Sequence, residues 1–332
     1  MKLLIVTPLL PPESGGPSYL SVALAEELQN KGNEVDLLAF REVRKYPTII
    51  RHILFFFKVL KQSKTKDALI ILDTVSVALP AVYAGRLRSK KMIVRVGGDF
   101  MWEQYVERTK AKILLSEFYK EDRELSIKER LLLWLQREVV LKHAHAVVFN
   151  TDWFRNIWLT PYAIPKEKTV VIEHAHEKRE KTHVGGESFL CAWRPTAFKN
   201  IDTLELAYTL AVQENLKIKV ETLKDIPREE LFDRMRYARA LIIPSLTETS
   251  SIMAREALEI GLPVMITKDC GSYDLLDGHV TWINPLSADN IAGKMVTLMD
   301  EKEYERAQEM TNSFDYEHTY SQIADEYLAL LT

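Results

Sequence analysis

The chain of 332 residues has only two cysteines, Cys191 and Cys270. Thiols this few and this far apart form neither a disulfide framework nor a zinc-ligand spacing, so they read as small buried residues in a reducing compartment. Long apolar runs are missing too. No window reaches the ~18 residues that a membrane-spanning helix needs. The opening "MKLLIVTPLLPPESGG" begins like a leader peptide, but Pro8, Pro11 and Pro12 break its apolar stretch and no small-residue cleavage site follows. A first β-strand and a cytoplasmic protein are expected. Charge excess is also absent: the formal net charge is −3, and no global field favours nucleic acid. There is no D-x-D element, no His/Asp cluster at metal-ligand spacing, no G-x-G-x-x-G fingerprint, no solenoid-period repeat and no low-complexity tract. No metal and no cofactor are expected.

What remains is an ordinary globular composition, 47% hydrophobic and 27% charged, in a chain long enough for two domains. "LLIVT" (3–7) is an unbroken apolar run, as in a strand buried on both faces. A loop holding Gly15-Gly16 follows, then a helix with Pro17 in its first turn, Leu20, Leu24 and Leu28 on one face and Gly32 as its cap. "EVDLLAF" (34–40) completes a βαβ unit, which implies a parallel sheet. Further strands are expected at 68–73, 91–96, 145–150 and 168–174, with helices at 76–88 and 123–143. Residues 175–188 are polar and glycine-containing, as in a linker. The alternation then restarts: strands at 189–193, 218–223, 240–245 and 263–267, helices at 200–214, 227–238 and 250–260, and two helical segments at 287–300 and 301–331. The expected class is α/β, with two consecutive, mostly parallel sheets. Ligands of such sheets bind at the carboxyl ends of strands, over helix N-termini.

The stretch "PSLTETSSIMAREALEIGLPV" (244–264) places Glu248 before a helix and Glu256 inside it. Thr249, Ser250 or Ser251 can cap the helix, and Gly261 and Pro263 end it. Its first-turn amides favour an anion such as a phosphate. Glu256 lies roughly 9 Å along the axis at 1.5 Å per residue. A diphosphate at the helix mouth would leave a sugar near Glu248 and a ribose near Glu256, since carboxylates accept paired hydroxyl bonds well. Read by physics alone, the two are equally a loop glutamate and a solvent-facing helix glutamate.

The same stretch resembles the E-x7-E signature of retaining glycosyltransferases of the GT-B fold, family 4 (glycosyl transferases group 1). "WRPTAFKNIDTLELAY" is similar to that family's "GR-x4-KG-x-D" segment, and "PPESGGPSYLSVALAEELQNKGNEV" to its "PP-x2-GG" opening. The resemblance implies two Rossmann-like domains facing a cleft. On that reading residues 1–176 form the acceptor-side domain, 177–188 the linker, 189–305 the nucleotide-sugar domain, and 306–332 a C-terminal helix packing back on the first domain. It implies donor contacts by Gly15, Gly16, Arg194, Lys199, Glu248, Thr249, Ser250, Ser251, Ile252 and Glu256. Arg194 and Lys199 would neutralise the leaving diphosphate, and Glu248 would orient the sugar.

Three features depart from the family. Gly97 stands where a histidine is usual, so Asp99, Trp102 or Glu103 are candidates for catalysis (Asp99) and for the acceptor (all three). The family's "E-G-F-G" is "ETSS", which suggests a donor sugar held by side-chain hydroxyls. The interval from Lys199 to Pro244 is short, as if one βα unit were missing, leaving the base open with a UDP-sugar first. The implied activity is metal-independent transfer from a nucleotide-diphosphate sugar to a glycan or lipid-linked acceptor. A nucleotide- or glycan-binding pseudoenzyme and a sugar-nucleotide epimerase are the alternatives. "RHILFFFKVLKQSKTK" (51–66) reads equally as a basic amphipathic helix on the inner face of the cytoplasmic membrane or as a core helix with solvated lysines. In helical register Ile53, Phe56, Phe57 and Leu60 share a face, with Arg51 and Lys58 opposite.

Overall fold

The apolar runs pair as parallel strands. The computed structural model describes residues 1–13 and 15–332. The chain begins β1 (Lys2–Thr7), α1 (Gly16–Asn30), β2 (Glu34–Ala39), α2 (Thr48–Gln62), β3 (Ala68–Ile71), α3 (Ala78–Leu87) and β4 (Lys91–Val96). It continues through α4 (Phe100–Thr109), α5 (Leu115–Phe118), α6 (Ile127–Trp134), β5 (Ala146–Phe149), α7 (Asp152–Leu159) and β6 (Thr169–Val171). Then come β7 (Ser188–Trp193), α8 (Ile201–Glu214), β8 (Lys219–Lys224), α9 (Arg228–Arg236), β9 (Ala240–Ile243), α10 (Ile252–Ile260) and β10 (Val264–Thr267). The last elements are α11 (Tyr273–Leu276), β11 (Thr281–Ile283), α12 (Ala288–Thr297), α13 (Glu301–Asn312) and α14 (Tyr320–Ala329).

Two compact units result. The first comprises Met1–Met101, Glu124–Ala175 and His318–Thr332; the second, Trp102–Arg123 and His176–Glu317. The sheet of the first unit has the order β2-β1-β3-β4-β5-β6, all parallel. Leu3, Leu4, Ile5 and Val6 are fully buried because helices cover both faces. The chain steps outward from β1 to β2 and back across to β3, so right-handed crossovers place α1 and α2 on opposite faces. On the α1 face, Leu3, Ile5, Ile70 and Ile93 pack with Leu20 and Leu24 of α1 and with Ile323 and Tyr327 of α14.

The second sheet has the order β11-β10-β9-β7-β8. It has one strand fewer than the first sheet. Its core, around Phe189, Leu241, Ile242 and Met265, is closed by α8 and α12 on one face and α10 on the other.

The structure departs from the sequence expectations in several places. The segment 301–331 is two helices, because Thr319 starts a new one with a capping box to Gln322. Only α14 joins the first unit; α13 stays in the second, where Ala307 is part of the core. β11 was not anticipated, since three residues make no recognisable apolar run. The helical stretch 123–143 begins at Ile127 and widens into an i→i+5 turn over Leu135–Leu141. On α2 the inner stripe is Phe55 and Val59, while Ile49, Ile53 and Phe57 are 75%, 51% and 57% exposed. Lys66 is not a solvated lysine: it is buried between Glu34 and Asp36, 2.8 Å from each.

Residues 176–188 are laid against the second unit. The amides of Thr182 and His183 donate to Ile260 O, and the His183 ring donates to Ala238 O at 2.8 Å. Burial holds the His183 imidazole below the usual histidine range. The unfolded chain therefore takes up a proton first, so this contribution is present above pH ~6.5 and is lost as pH falls through the lower folded value. The melting temperature is expected to fall between pH 7.5 and 5.5, and to fall less in His183→Gln, which keeps a donor but cannot titrate; thermal denaturation at the two pH values checks this. Burial pushes both thiols, Cys191 and Cys270, up to about 12, so neither is a nucleophile at neutral pH.

Candidate active site

At the carboxyl edge of the second sheet, three loops converge on the start of α10. The loop after β9 carries Glu248, the loop after β7 carries Arg194 and Lys199, and the loop after β10 carries Asp269 to Ser272. Glu248 pairs with Cys270 as a lone parallel bridge. Its amide donates to Asp269 O at 3.0 Å, and its carbonyl accepts from the Gly271 amide at 2.8 Å. The backbone of Glu248 is therefore fixed on both sides.

Its carboxylate meets the Lys199 ammonium, Nζ to Oε1, at 2.7 Å. The two side chains keep 17% and 14% exposure, enough to reach a solute and little enough to be only partly screened. Lys199 is delivered by a tight turn whose next residue, Asn200, sits in the left-handed region at φ 58. Asparagine tolerates that region better than other non-glycine residues. Here it also bonds outward: its Nδ2 donates to Pro244 O and Pro285 O, and its Oδ1 accepts from Thr203 at 2.6 Å. Asn200, which stands where the resembling "KG" segment has glycine, thus holds a left-handed backbone without one.

α10 begins at Ile252, two residues later than expected. Ser251 is the N-cap, accepting from the Ala254 amide at 3.3 Å, and Gly261 is the left-handed C-cap at φ 91. The first-turn amides of Ile252 and Met253 have no partner among the described residues, leaving donors and the positive end of the helix dipole at the mouth. The serine hydroxyls are already engaged. Ser251 caps its own helix and is 2% exposed, while Ser250 Oγ accepts from buried Arg255 at 3.3 Å. Glu256, four residues into α10, pairs with Arg228 of α9, a cation the sequence did not single out. Arg194 is exposed, one residue past β7.

Asp99 and Trp102 fall in different units. Asp99 is 1% exposed and accepts the indole N–H of Trp158 at 2.8 Å. Trp102 is 2% exposed, donates to Ile113 O at 2.8 Å and packs on Phe198. Both side chains are engaged in the interior, and Glu103 is half-buried. A Cβ at Gly97 would meet nothing within 4 Å, so glycine is not sterically required there. Gly15 is favoured by its backbone, at φ 148, while a Cβ there would meet only the movable Leu9 Cδ1, at 2.8 Å; Gly16 is unobstructed. No cluster of three or more His, Cys, Asp or Glu suited to a metal occurs among the described residues.

Residues 200–313 match the model of the family Glycosyl transferases group 1. The match begins at Asn200 and runs through Glu248, α10 and α13. The chain is also similar to solved structures across nearly its whole length. One is HepE from Anabaena in complex with UDP-glucose, 13% identical, covering 99% of this chain and 99% of that one with a TM-score of 0.67. Sucrose-phosphate synthase from Thermosynechococcus elongatus is 15% identical, with 99% and 98% coverage and a TM-score of 0.69. WaaG, a glycosyltransferase involved in lipopolysaccharide biosynthesis, is 14% identical, with 98% and 99% coverage and a TM-score of 0.69. These likenesses give the fold: two parallel-sheet, Rossmann-like domains of the GT-B class. No curated protein matches the chain in sequence.

Proposed function

We propose that the chain is a retaining glycosyltransferase of family 4 type, moving a sugar from a nucleotide-diphosphate donor, a UDP-sugar first, to a glycan or lipid-linked acceptor in surface-glycan assembly. The observation that carries this reading is the half-buried Lys199–Glu248 pair, held at 2.7 Å at the open mouth of α10. A donor arriving there exchanges one anion for another. The diphosphate takes Lys199 and the amides of Ile252 and Met253, and Glu248 turns its freed oxygens to the sugar hydroxyls. Arg194, exposed on the same loop as Lys199, adds a second cation. Glu256 exchanges Arg228 for the ribose.

In this scheme the acceptor hydroxyl attacks the anomeric carbon on the face the phosphate leaves. The carbon–phosphate oxygen bond breaks, the new glycosidic bond forms, and the acceptor proton passes to the departing phosphate oxygen. Lys199, Arg194 and the helix amides neutralise the leaving group, so the scheme needs no metal. Support for UDP comes from the relatives of like fold, one of which was crystallised with UDP-glucose.

Thermal stabilisation by a panel of UDP-, GDP-, ADP- and CMP-sugars tests the reading, because a ligand of the native state raises its melting point. One sugar nucleotide is expected to stabilise the protein; none doing so contradicts the proposal. By titration calorimetry, Lys199→Ala and Arg194→Ala are each expected to weaken nucleoside-diphosphate binding roughly ten- to a hundredfold, the worth of a charged hydrogen bond. A binding-only module is the second reading, favoured by Gly97 in the usual histidine's place. Donor hydrolysis by the purified protein separates the two.

Membrane contact through 51–66 is supported by the exposed Ile53 and Phe57 of α2, with Lys61 and Lys64 beside them. The full chain is expected to sediment with vesicles containing phosphatidylglycerol. Ile53→Asp with Phe57→Asp is expected to lower that binding about tenfold. Equal sedimentation of wild type and variant contradicts the contact. No helix is long and apolar enough to cross a membrane among the described residues.

A further inference from the structure

We propose that residues 102–118 are a positioning strap, which fixes the two loops carrying Lys199 and Glu248; the functional part of this rests on reading those two residues as donor ligands. The segment lies in the first half of the sequence, yet it belongs to the second unit. It meets the carboxyl-edge loops of that unit's sheet at successive points. The Trp102 ring lies 5.4 Å from that of Phe198. Glu107 Oε2 accepts the Ala197 amide at 2.7 Å. Lys112 binds Asp202 at 2.8 Å and Thr203 at 2.5 Å. These three anchor the turn that presents Lys199.

The remaining contacts anchor Glu248. The amide of Leu115 donates to Thr247 Oγ1 at 2.9 Å, and Ser116 donates to the Asp269 carboxylate through both its amide and its hydroxyl. Thr247 Oγ1 in turn donates to Asp269 Oδ2. Asp269 is thus a hub: its carboxylate gathers the strap and Thr247, while its carbonyl accepts the amide of Glu248. Burial pushes the Asp269 carboxyl up, and the Ser116 and Thr247 bonds pull the other way. Thr247 is 3% exposed, so its hydroxyl has no solvent substitute if the strap is lost. Glu107, Thr247 and Asp269 touch no substrate in this scheme. They act through Lys199 and Glu248, as a supporting shell that holds a site to a fraction of an ångström.

The amides of Glu248 and Gly271, each hydrogen-bonded across this loop, report the strap directly in the full-length protein without ligand. Hydrogen exchange in Thr247→Val and in Ser116→Ala is expected to quicken at those two amides by about tenfold, with β9 and β10 unchanged, and Thr247→Ser is expected to restore protection. Unchanged exchange in both variants, or an equal increase throughout the second unit, overturns the strap. Calorimetry with UDP and with UDP-glucose adds the functional arm. The wild type is expected to bind UDP-glucose more tightly than UDP, and Thr247→Val to lose that gain while binding UDP within about twofold of wild type. Retention of the gain in Thr247→Val overturns the positioning role. Absence of any gain in the wild type contradicts Glu248 as a glucose ligand, and the exchange result then decides the strap alone.

Discussion

Glu248→Ala is expected to lower sugar transfer by about a thousandfold, the loss seen when a preorganised charged contact is removed from a transition state. The loop around it is expected to stay in place, because the amide and carbonyl of residue 248, bonded to Asp269 and Gly271, are untouched by the change. Lys199 loses its partner and, at 17% side-chain exposure, regains water only in part, so a cost to folding of about 1–3 kcal/mol is expected. The signature is therefore a loss of rate far larger than this modest loss of stability accounts for, read from initial rates with the donor that stabilises the wild type. Glu248→Gln keeps an acceptor for one hydroxyl and is expected to fall between the two. A variant that turns over at the wild-type rate removes Glu248 from the chemistry.

Trp158→Ala is expected to show the opposite signature, a cost of about 3–5 kcal/mol in stability. Trp158 is fully buried and stacked on Tyr162 with ring centroids 3.8 Å apart. Phe149 and Phe154 meet it edge-on. Truncation opens a cavity in the first unit and also removes the indole N–H from Asp99, whose carboxylate is 1% exposed. Trp158→Phe separates the two effects. It keeps most of the packing and loses the hydrogen bond, so its cost is expected to lie below that of Trp158→Ala, at about 1–3 kcal/mol. Urea unfolding midpoints of the three proteins check the order. If Trp158→Phe is as stable as wild type, Asp99 does not depend on that bond.

What could be read in the sequence was local. Strands buried on both faces announce themselves as unbroken apolar runs, and β1, β3, β5 and β9 all do so. The Glu248–Glu256 spacing and the Gly261 cap are likewise contained in one stretch. Contacts between distant segments have no such period. The sequence made Asp99 a candidate acceptor contact and carried no sign that an indole 59 residues away binds it. Nor did it show that the chain divides at residue 123, just before the expected 123–143 helix gives way to the first unit, or that Glu107 reaches an amide 90 residues on. Asp269 belongs to no motif, and only the fold brings Ser116, Thr247 and the Glu248 amide to it. The split of 301–331 did carry a signal: Thr319 and Gln322 stand at capping-box spacing.

The central claim is that the mouth of α10, with Lys199 and Glu248, grips the diphosphate and sugar of an activated donor. A crystal structure with UDP-glucose bound tests it most directly. The account predicts the pyrophosphate within hydrogen-bond reach of Lys199 Nζ and the amides of Ile252 and Met253, the Lys199–Glu248 pair opened, and Glu248 on a glucose hydroxyl. A nucleotide lodged elsewhere, or bound with the 2.7 Å pair still closed, contradicts it.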